Sequence, residues 1–262
     1  MKRLGRKKAI KNEQFIDLYT NRPDSVSIAR INELEEMTLL RILEKTKGKT
    51  AAFGWSGGKD SQVIRLLCEK AGILDCMWGT SPELEYPAFA RWMEENKPEK
   101  LVKINSAIDY EWVKKHEDLI FPSLGKDHQK HHLLQQWNTE HKYQLQNDID
   151  VFILGRRSID GNTVGKTGDG YFWKNRYQYL PIADWTHEEL CSYIYYNKIK
   201  MAPIYSWPRG FVVGTHIWPK RTSKNYSKLY CWNEIWAIDK SIILEASKYL
   251  ESAKRYLQER EG

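Results

Sequence analysis

Cysteine is scarce in this 262-residue chain. Four residues, Cys68, Cys76, Cys191 and Cys231, stand far apart with no C-x-x-C pair. That spacing excludes a zinc knuckle and a four-cysteine iron–sulfur cluster. Long apolar runs are lacking too. The best candidates, residues 51–55 and 151–154, fall far short of the roughly 20 residues that a membrane helix needs. Residues 1–11 carry the charge of a signal-peptide n-region, yet no apolar h-region follows them. The expectation is a soluble, cytoplasmic protein with no membrane partner, in a compartment where disulfides do not persist. Internal repeats and low-complexity segments are absent as well.

What is present is an apolar and aromatic content ordinary for a globular enzyme, at 41% and 13% of residues, enough to bury a full core. The net charge of +7 points to an anionic partner, and a nucleotide-phosphate site accounts for part of it. The densest basic run is Lys2, Arg3, Arg6, Lys7, Lys8 and Lys11. It reads as a solvated terminus or as a contact for nucleic acid or a partner.

Along the chain, Ile28, Ile31, Leu34, Met37, Leu39, Leu40, Ile42 and Leu43 recur at near-helical spacing and predict a helix over 26–46. Residues 50–55 read as a buried strand, 62–71 as a helix stopped by Gly72, and 75–78 as a weak strand. A helix over 86–95, a strand over 100–104, a polar helix over 131–146 and a buried strand over 151–154 continue the alternation. This order favours an α/β fold: a mostly parallel sheet with helices on both faces and ligands at the carboxyl ends of the strands. Residues 205–236 mix Trp, Tyr, Pro and basic residues with little periodicity and read as irregular. Residues 239–258 carry a regular apolar stripe and predict one terminal helix. The expected division is a basic N-terminal segment over 1–25, a nucleotide-binding domain over 26–204 and a C-terminal segment over 205–262.

The chemistry concentrates in Ser56-Gly57-Gly58-Lys59-Asp60-Ser61, between a strand and a helix. A loop in that position exposes unpaired N–H groups at the positive end of the helix dipole. Gly57 and Gly58 let the backbone approach phosphate oxygens closely, Ser56 and Ser61 offer hydroxyls, and Lys59 adds charge. A carboxylate beside a polyphosphate is repelled unless a cation lies between them. Asp60 therefore reads as a Mg²⁺ ligand or, alternatively, as a cap of the helix.

This loop resembles the signature of the PP-loop ATP pyrophosphatases. Further residues resemble the phosphoadenosine-phosphosulfate (PAPS) reductase and sulfate adenylyltransferase small-subunit group within them. Gly155-Arg156-Arg157 is similar to that group's G-x-R element, with Asp160 where the group has Glu. Pro181-Ile182-Ala183-Asp184-Trp185-Thr186, followed by Glu188, Glu189, Leu190 and Tyr193, is similar to its P-I-x-D-W-T segment and helix; Asn197-Lys198-Ile199 and Pro203-Ile204-Tyr205 also fit. The resemblance, covering about residues 50–205, implies a site that takes ATP or a PAPS-like adenine nucleotide; Mg²⁺ is expected from the Asp60 reading, and the missing paired cysteines argue against the iron–sulfur cluster that some of the group's relatives carry. It implies Lys59, Asp60 and Arg157 in catalysis, with Arg156 and Arg157 neutralising phosphate or sulfate charge.

The chain departs from this group in two places. The C-terminal E-C-G-x-H element of PAPS reductases is missing, and Cys231 reads as a buried structural thiol. Where the group has V-D-T-G, this chain has Met77-Trp78-Gly79-Thr80, and Glu85 reads either as a substitute polar group or as a surface glutamate at a helix start. Residues 161–167 miss the Walker A spacing by one and read as a flexible, substrate-covering loop that brings Lys166 within reach of phosphate. His128, His131, His132 and His141 find no carboxylate or thiol to complete a metal site. Trp207, Trp218, Trp232 and Trp236 interleave with Arg209, Lys220, Arg221, Lys224 and Lys228, as in single-strand nucleic-acid platforms and equally as in aromatic packing. Nucleic acid and a partner subunit stay open as partners.

The functional expectation is an ATP-dependent adenylyl-transfer enzyme that releases pyrophosphate, its acceptor open between sulfate and a nucleic-acid or small-molecule oxygen. The alternatives are a PAPS reductase-like oxidoreductase and a non-catalytic nucleotide- or nucleic-acid-binding module.

Overall fold

Hydrophobic spacing and capping set the first elements. The computed structural model describes residues 11–117, 134–221 and 228–261. The basic residues 2–8, His128, His131, His132 and Lys224 lie outside the described residues. Helix α1 (Asn12–Thr20) buries Phe15 and Leu18, one turn apart, and the Lys11 N–H at its start donates to Gln14 Oε1 at 2.8 Å. Helix α2 (Ile28–Thr46) begins at Ser27, whose hydroxyl accepts from the Arg30 N–H, and buries Ile31, Leu34, Thr38 and Ile42 on one face.

Alternation follows: β1 (Ala51–Gly54), α3 (Lys59–Lys70), β2 (Cys76–Thr80), α4 (Pro87–Glu95), β3 (Leu101–Asn105) and α5 (Tyr110–Lys115). A π-helical turn (Trp137–His141) leads into α6 (Lys142–Gln146), then β4 (Val151–Ile153), β5 (Gly170–Trp173), β6 (Arg176–Tyr179) and α7 (His187–Tyr196). Helices α8 (Gly210–Val213), α9 (Lys228–Ile238), α10 (Lys240–Ala246) and α11 (Glu251–Glu261) complete the chain. Among the described residues, no helix is long and apolar enough to cross a membrane.

The strands form one six-stranded sheet in the order β3-β2-β1-β4-β6-β5. Strand β1 runs parallel to β2 and β4, β4 runs parallel to β6, and β5 is antiparallel to β6. Ala52, Phe53, Val151, Phe152 and Ile153 are fully buried, as the continuous apolar runs of a parallel sheet covered on both faces require. The order reverses between β1 and β4, so the crevice at their carboxyl ends is the topological switch point where α/β sheets place ligands. The Ser56–Ser61 loop leaves β1 there, and Gly155-Arg156-Arg157 leaves β4.

The α/β architecture expected from the sequence is the one observed, with three local differences. Residues 161–170 lead into the β5–β6 hairpin: the Gly170 N–H donates to the Val164 carbonyl at 3.0 Å, and Lys166 is exposed. The hairpin turn uses Lys174 and Asn175, both at positive φ, without the Asn-Gly signal that advertises such turns. Second, the segment expected to be irregular contains α8 and α9. Helix α9 buries Cys231, Trp232, Glu234 and Ile235, and its apolar residues surround it too evenly for a periodic stripe. Third, the stripe over 239–258 is carried by two helices, α10 and α11, rather than one.

The chain folds into two compact units that interleave along the sequence. The first holds residues 1–78, 97–102 and 143–202, and the second 79–96, 103–142 and 203–262. The second unit contains Glu85, which is 8% exposed and therefore not a surface residue. Its Oε1 accepts from Thr80 Oγ1 at 3.0 Å and from the Ser81 N–H, while Oε2 is buried with no hydrogen-bond partner among the described residues. Burial pushes its carboxyl from the ordinary 4.5 up to about 7, against the two hydrogen bonds.

A carboxyl raised in the folded state stabilises the fold below its unfolded value and loses that contribution as pH rises through the folded one. Between pH 4.5 and 7.5, wild type is thus expected to lose about 3 kcal/mol relative to Glu85→Gln, which keeps a neutral side chain throughout. Urea unfolding of both proteins across that range checks this. A pH-independent difference would refute it.

Candidate functional site

The loop after β1 is shaped by Gly57, at φ +68, and by Gly58, which caps α3 with extended backbone. The first intrahelical bond runs from the Gln62 N–H to the Gly58 carbonyl at 2.9 Å, so the N–H groups before it face the loop's concavity at the positive end of α3. Ser61 Oγ donates to the Gly58 carbonyl at 3.0 Å and accepts from the Ser56 N–H at 3.2 Å, which closes the loop on itself. Ser56 is exposed. Behind the loop, Trp55 Nε1 donates to Gln62 Oε1 at 2.6 Å, and Gln62 Nε2 donates to the Lys200 carbonyl at 2.9 Å. That buried amide fixes the end of β1 to the first turn of α3.

Next to the loop, Arg157 is 0% exposed. Its Nε donates to Asp60 Oδ1 at 2.8 Å, and Nη1 donates to the carbonyls of Trp185 and Thr186 at 3.3 and 3.0 Å. Nη2 lies 3.0 Å from Asp160 Oδ2 and 3.2 Å from His187 Nδ1. Lys59 Nζ sits 2.5 Å from Asp60 Oδ2 and 4.0 Å from Asp160 Oδ2. Two buried cations, Lys59 and Arg157, and two partly exposed carboxylates, Asp60 and Asp160, thus form one formally neutral cluster. Such pairs are costly to desolvate and costly to break.

The electrostatics follow from this arrangement. Burial raises the Asp60 carboxyl, but Lys59 and Arg157 outweigh it and hold it below its ordinary value. His187 is driven down to about 4, first by burial and then by the Arg157 charge, so its ring is neutral at neutral pH and Nδ1 is free to accept from the guanidinium. The P-I-x-D-W-T stretch has a structural reason: Thr186 caps α7 reciprocally with Glu189, which turns the carbonyls of residues 185 and 186 toward Arg157. Asp184 is exposed and lies 3.6 Å from Arg41.

The sequence-predicted residues therefore separate into two groups. Ser56, Gly57, Gly58, Lys59, Asp60, Ser61 and Arg157 come together, and Asp160 joins them. Arg157 is enclosed, whereas Arg156 is half-buried, its Nη1 donating to the Tyr171 hydroxyl at 2.7 Å. Asp60, read from the sequence as a Mg²⁺ ligand, has both carboxylate oxygens paired with cations: its Oδ2 is engaged by Lys59 and its Oδ1 by Arg157. His187 and Phe15 were not expected at the site. Neither falls in a residue pattern that points to chemistry.

The proposed nucleic-acid platform is not presented at the surface by its central residues. Trp218, Trp232, Lys220 and Arg221 are buried in the second unit, where Glu234 pairs with Arg209 at 2.9 Å and with Arg221 at 2.6 Å. Tyr86 packs on Trp207 with ring centroids 4.8 Å apart. Trp218, Trp232, Lys220 and Arg221 thus serve in packing.

Gly155 links β4 to the cluster by close approach: a Cβ there would lie 2.9 Å from the Asp60 carbonyl carbon and oxygen. Gly155→Ala is expected to destabilise by about 1–3 kcal/mol as the loop is forced away. A thermal melt unchanged from wild type would contradict this contact.

Comparison with known proteins bears on the same region. The crystal structure of PAPS reductase from Candida auris in complex with phosphate is similar in fold at 15% identity. The match covers 69% of this chain and 92% of that one, with a TM-score of 0.49. No curated protein matches in sequence. The phosphoadenosine phosphosulfate reductase domain matches residues 50–234, which takes in β1, the loop, the Arg157 cluster and the Thr186 cap. The chain belongs to the phosphoadenosine phosphosulfate reductase domain family, within the PP-loop superfamily.

Proposed function

We propose that this protein binds an adenine nucleotide through the Ser56–Ser61 loop and catalyses adenylyl transfer from ATP with release of pyrophosphate. The observation that carries the choice against reduction is the burial of all four cysteines, Cys68, Cys76, Cys191 and Cys231. Thiol attack on sulfur needs an accessible thiolate. Cys231 is 0% exposed, and burial pushes the thiols of Cys76 and Cys191 up to about 12 and about 11. The burial of these thiols supports adenylyl transfer over the PAPS reduction that the family's name favours.

In the proposed reaction an acceptor oxygen attacks the α-phosphorus. The new P–O bond forms as the bond to the bridging oxygen breaks, and pyrophosphate leaves with the electron pair. The loop N–H groups, the Ser56 hydroxyl, Lys59 and Arg156 hold the β- and γ-phosphates and stabilise the charge that builds there. Asp60 and Asp160 hold Lys59, and Arg157 holds Asp60. Arg157 is thus a positioning residue in this reading and not the arm that meets phosphate. The acceptor is an oxyanion or hydroxyl of the sulfate, nucleic-acid or small-molecule class.

The test is incubation with ATP labelled at the α-phosphate and Mg²⁺, alone and with sulfate, tRNA or DNA, beside an assay of sulfite release from PAPS with a reduced thiol donor. Label passing to AMP or to an adenylated acceptor is expected. Lys59→Ala should slow turnover about 100-fold or more, and Cys231→Ser should leave it unchanged. Sulfite release abolished by Cys231→Ser, with no turnover of ATP, would overturn the proposal in favour of reduction.

A further inference from the structure

Helix α1 lies N-terminal to the family domain, which begins at residue 50, yet it reaches the loop lysine. Phe15, 4% exposed, stands with its ring face 5.2 Å from Lys59 Nζ and meets the His187 ring edge-on at a centroid distance of 4.5 Å. The helix is anchored for this purpose. Leu18 is buried beside Phe15, α1 packs on α7, and the Val26 N–H in the following segment donates to Ser192 Oγ of α7 at 3.1 Å. On its other sides the Lys59 ammonium faces the carboxylates of Asp60 and Asp160.

We infer that α1 is part of the functional site and that Phe15 is a positioning residue, whose ring closes the cage that fixes the Lys59 ammonium beside the phosphate-binding loop. A lysine carries among the largest rotamer entropies of any side chain, and that freedom is lost whenever the ammonium is held in one place. A ring face within about 6 Å attracts the ammonium and keeps water from it, most strongly when the pair is desolvated. Lys59 is 7% exposed, so this pair is desolvated. The lysine is thereby placed before any ligand arrives. A leucine at position 15 would fill much of the same space but offers no ring face, so simple packing and cation placement predict different results.

The inference rests on the phosphate-binding reading of the loop only for its affinity arm; its positional arm is independent. In protein carrying ¹³C-labelled lysine, with the Lys59 signal assigned by Lys59→Arg, the ε-methylene protons of wild type should resonate upfield from the ring current of Phe15. Phe15→Leu should remove that shift, and Phe15→Tyr should restore it. Titration with ATP should then show affinity about five- to thirty-fold weaker for Phe15→Leu, with Phe15→Tyr near wild type. An ordinary Lys59 shift in wild type would overturn the inference without recourse to any variant. Unchanged affinity in a folded Phe15→Leu would overturn it too. Wild type that shows the upfield shift but binds neither ATP nor PAPS would instead sink the nucleotide reading while the placement of Lys59 stood.

Discussion

The buried guanidinium of Arg157 is the constraint on which the rest of the site depends. It joins three elements that are distant in sequence: the start of α3 through Asp60, the turn after β4 through Asp160, and the cap of α7 through the carbonyls of Trp185 and Thr186. An arginine with no exposure must have its charge balanced and its N–H groups satisfied, or the fold loses several kcal/mol. The sequence around it meets that demand. Gly155 permits the close approach, Thr186 and Glu189 orient the carbonyls, and burial keeps His187 neutral so that it accepts rather than repels.

This arrangement changes where the attraction for an anion comes from. Four formal charges, those of Lys59, Arg157, Asp60 and Asp160, cancel within the cluster. Under the proposed nucleotide binding, the pull on phosphate would rest on the N–H groups at the start of α3, on Arg156, and on a lysine held in position rather than a lysine adding bare charge. Asp60, which looks like a metal ligand when only its neighbours in sequence are considered, is occupied by two cations from one side each. The carboxylate that seemed out of place in an anion cradle is what keeps the cradle's lysine in place.

Much of the fold was legible because its signals are local. The apolar runs of β1 and β4, the glycine pair after β1 and the helical spacing of α2 and α3 each report on a few adjacent residues, and the parallel sheet follows from their alternation. The β5–β6 hairpin was not legible, since Lys174 and Asn175 adopt positive φ without a glycine. Helix α9 was hidden by apolar residues on every side. At the site, the loop was readable from six residues, but the enclosure of Arg157 depends on carbonyls some thirty residues away, and the contact of Phe15 with Lys59 depends on how α1 packs. No periodicity encodes either. Glu85 shows the same limit, because its burial is set by the packing of the second unit and not by its position at the start of a helix.

The central claim is that Arg157 and Asp60 act as one buried unit which holds the loop. A double-mutant cycle in urea with Asp60→Asn, Arg157→Gln and the double variant measures it directly. The account predicts that each single variant costs about 3–5 kcal/mol, because it strands the opposite charge, and that the double variant costs less than the sum by about 2 kcal/mol or more. Additive losses would contradict it.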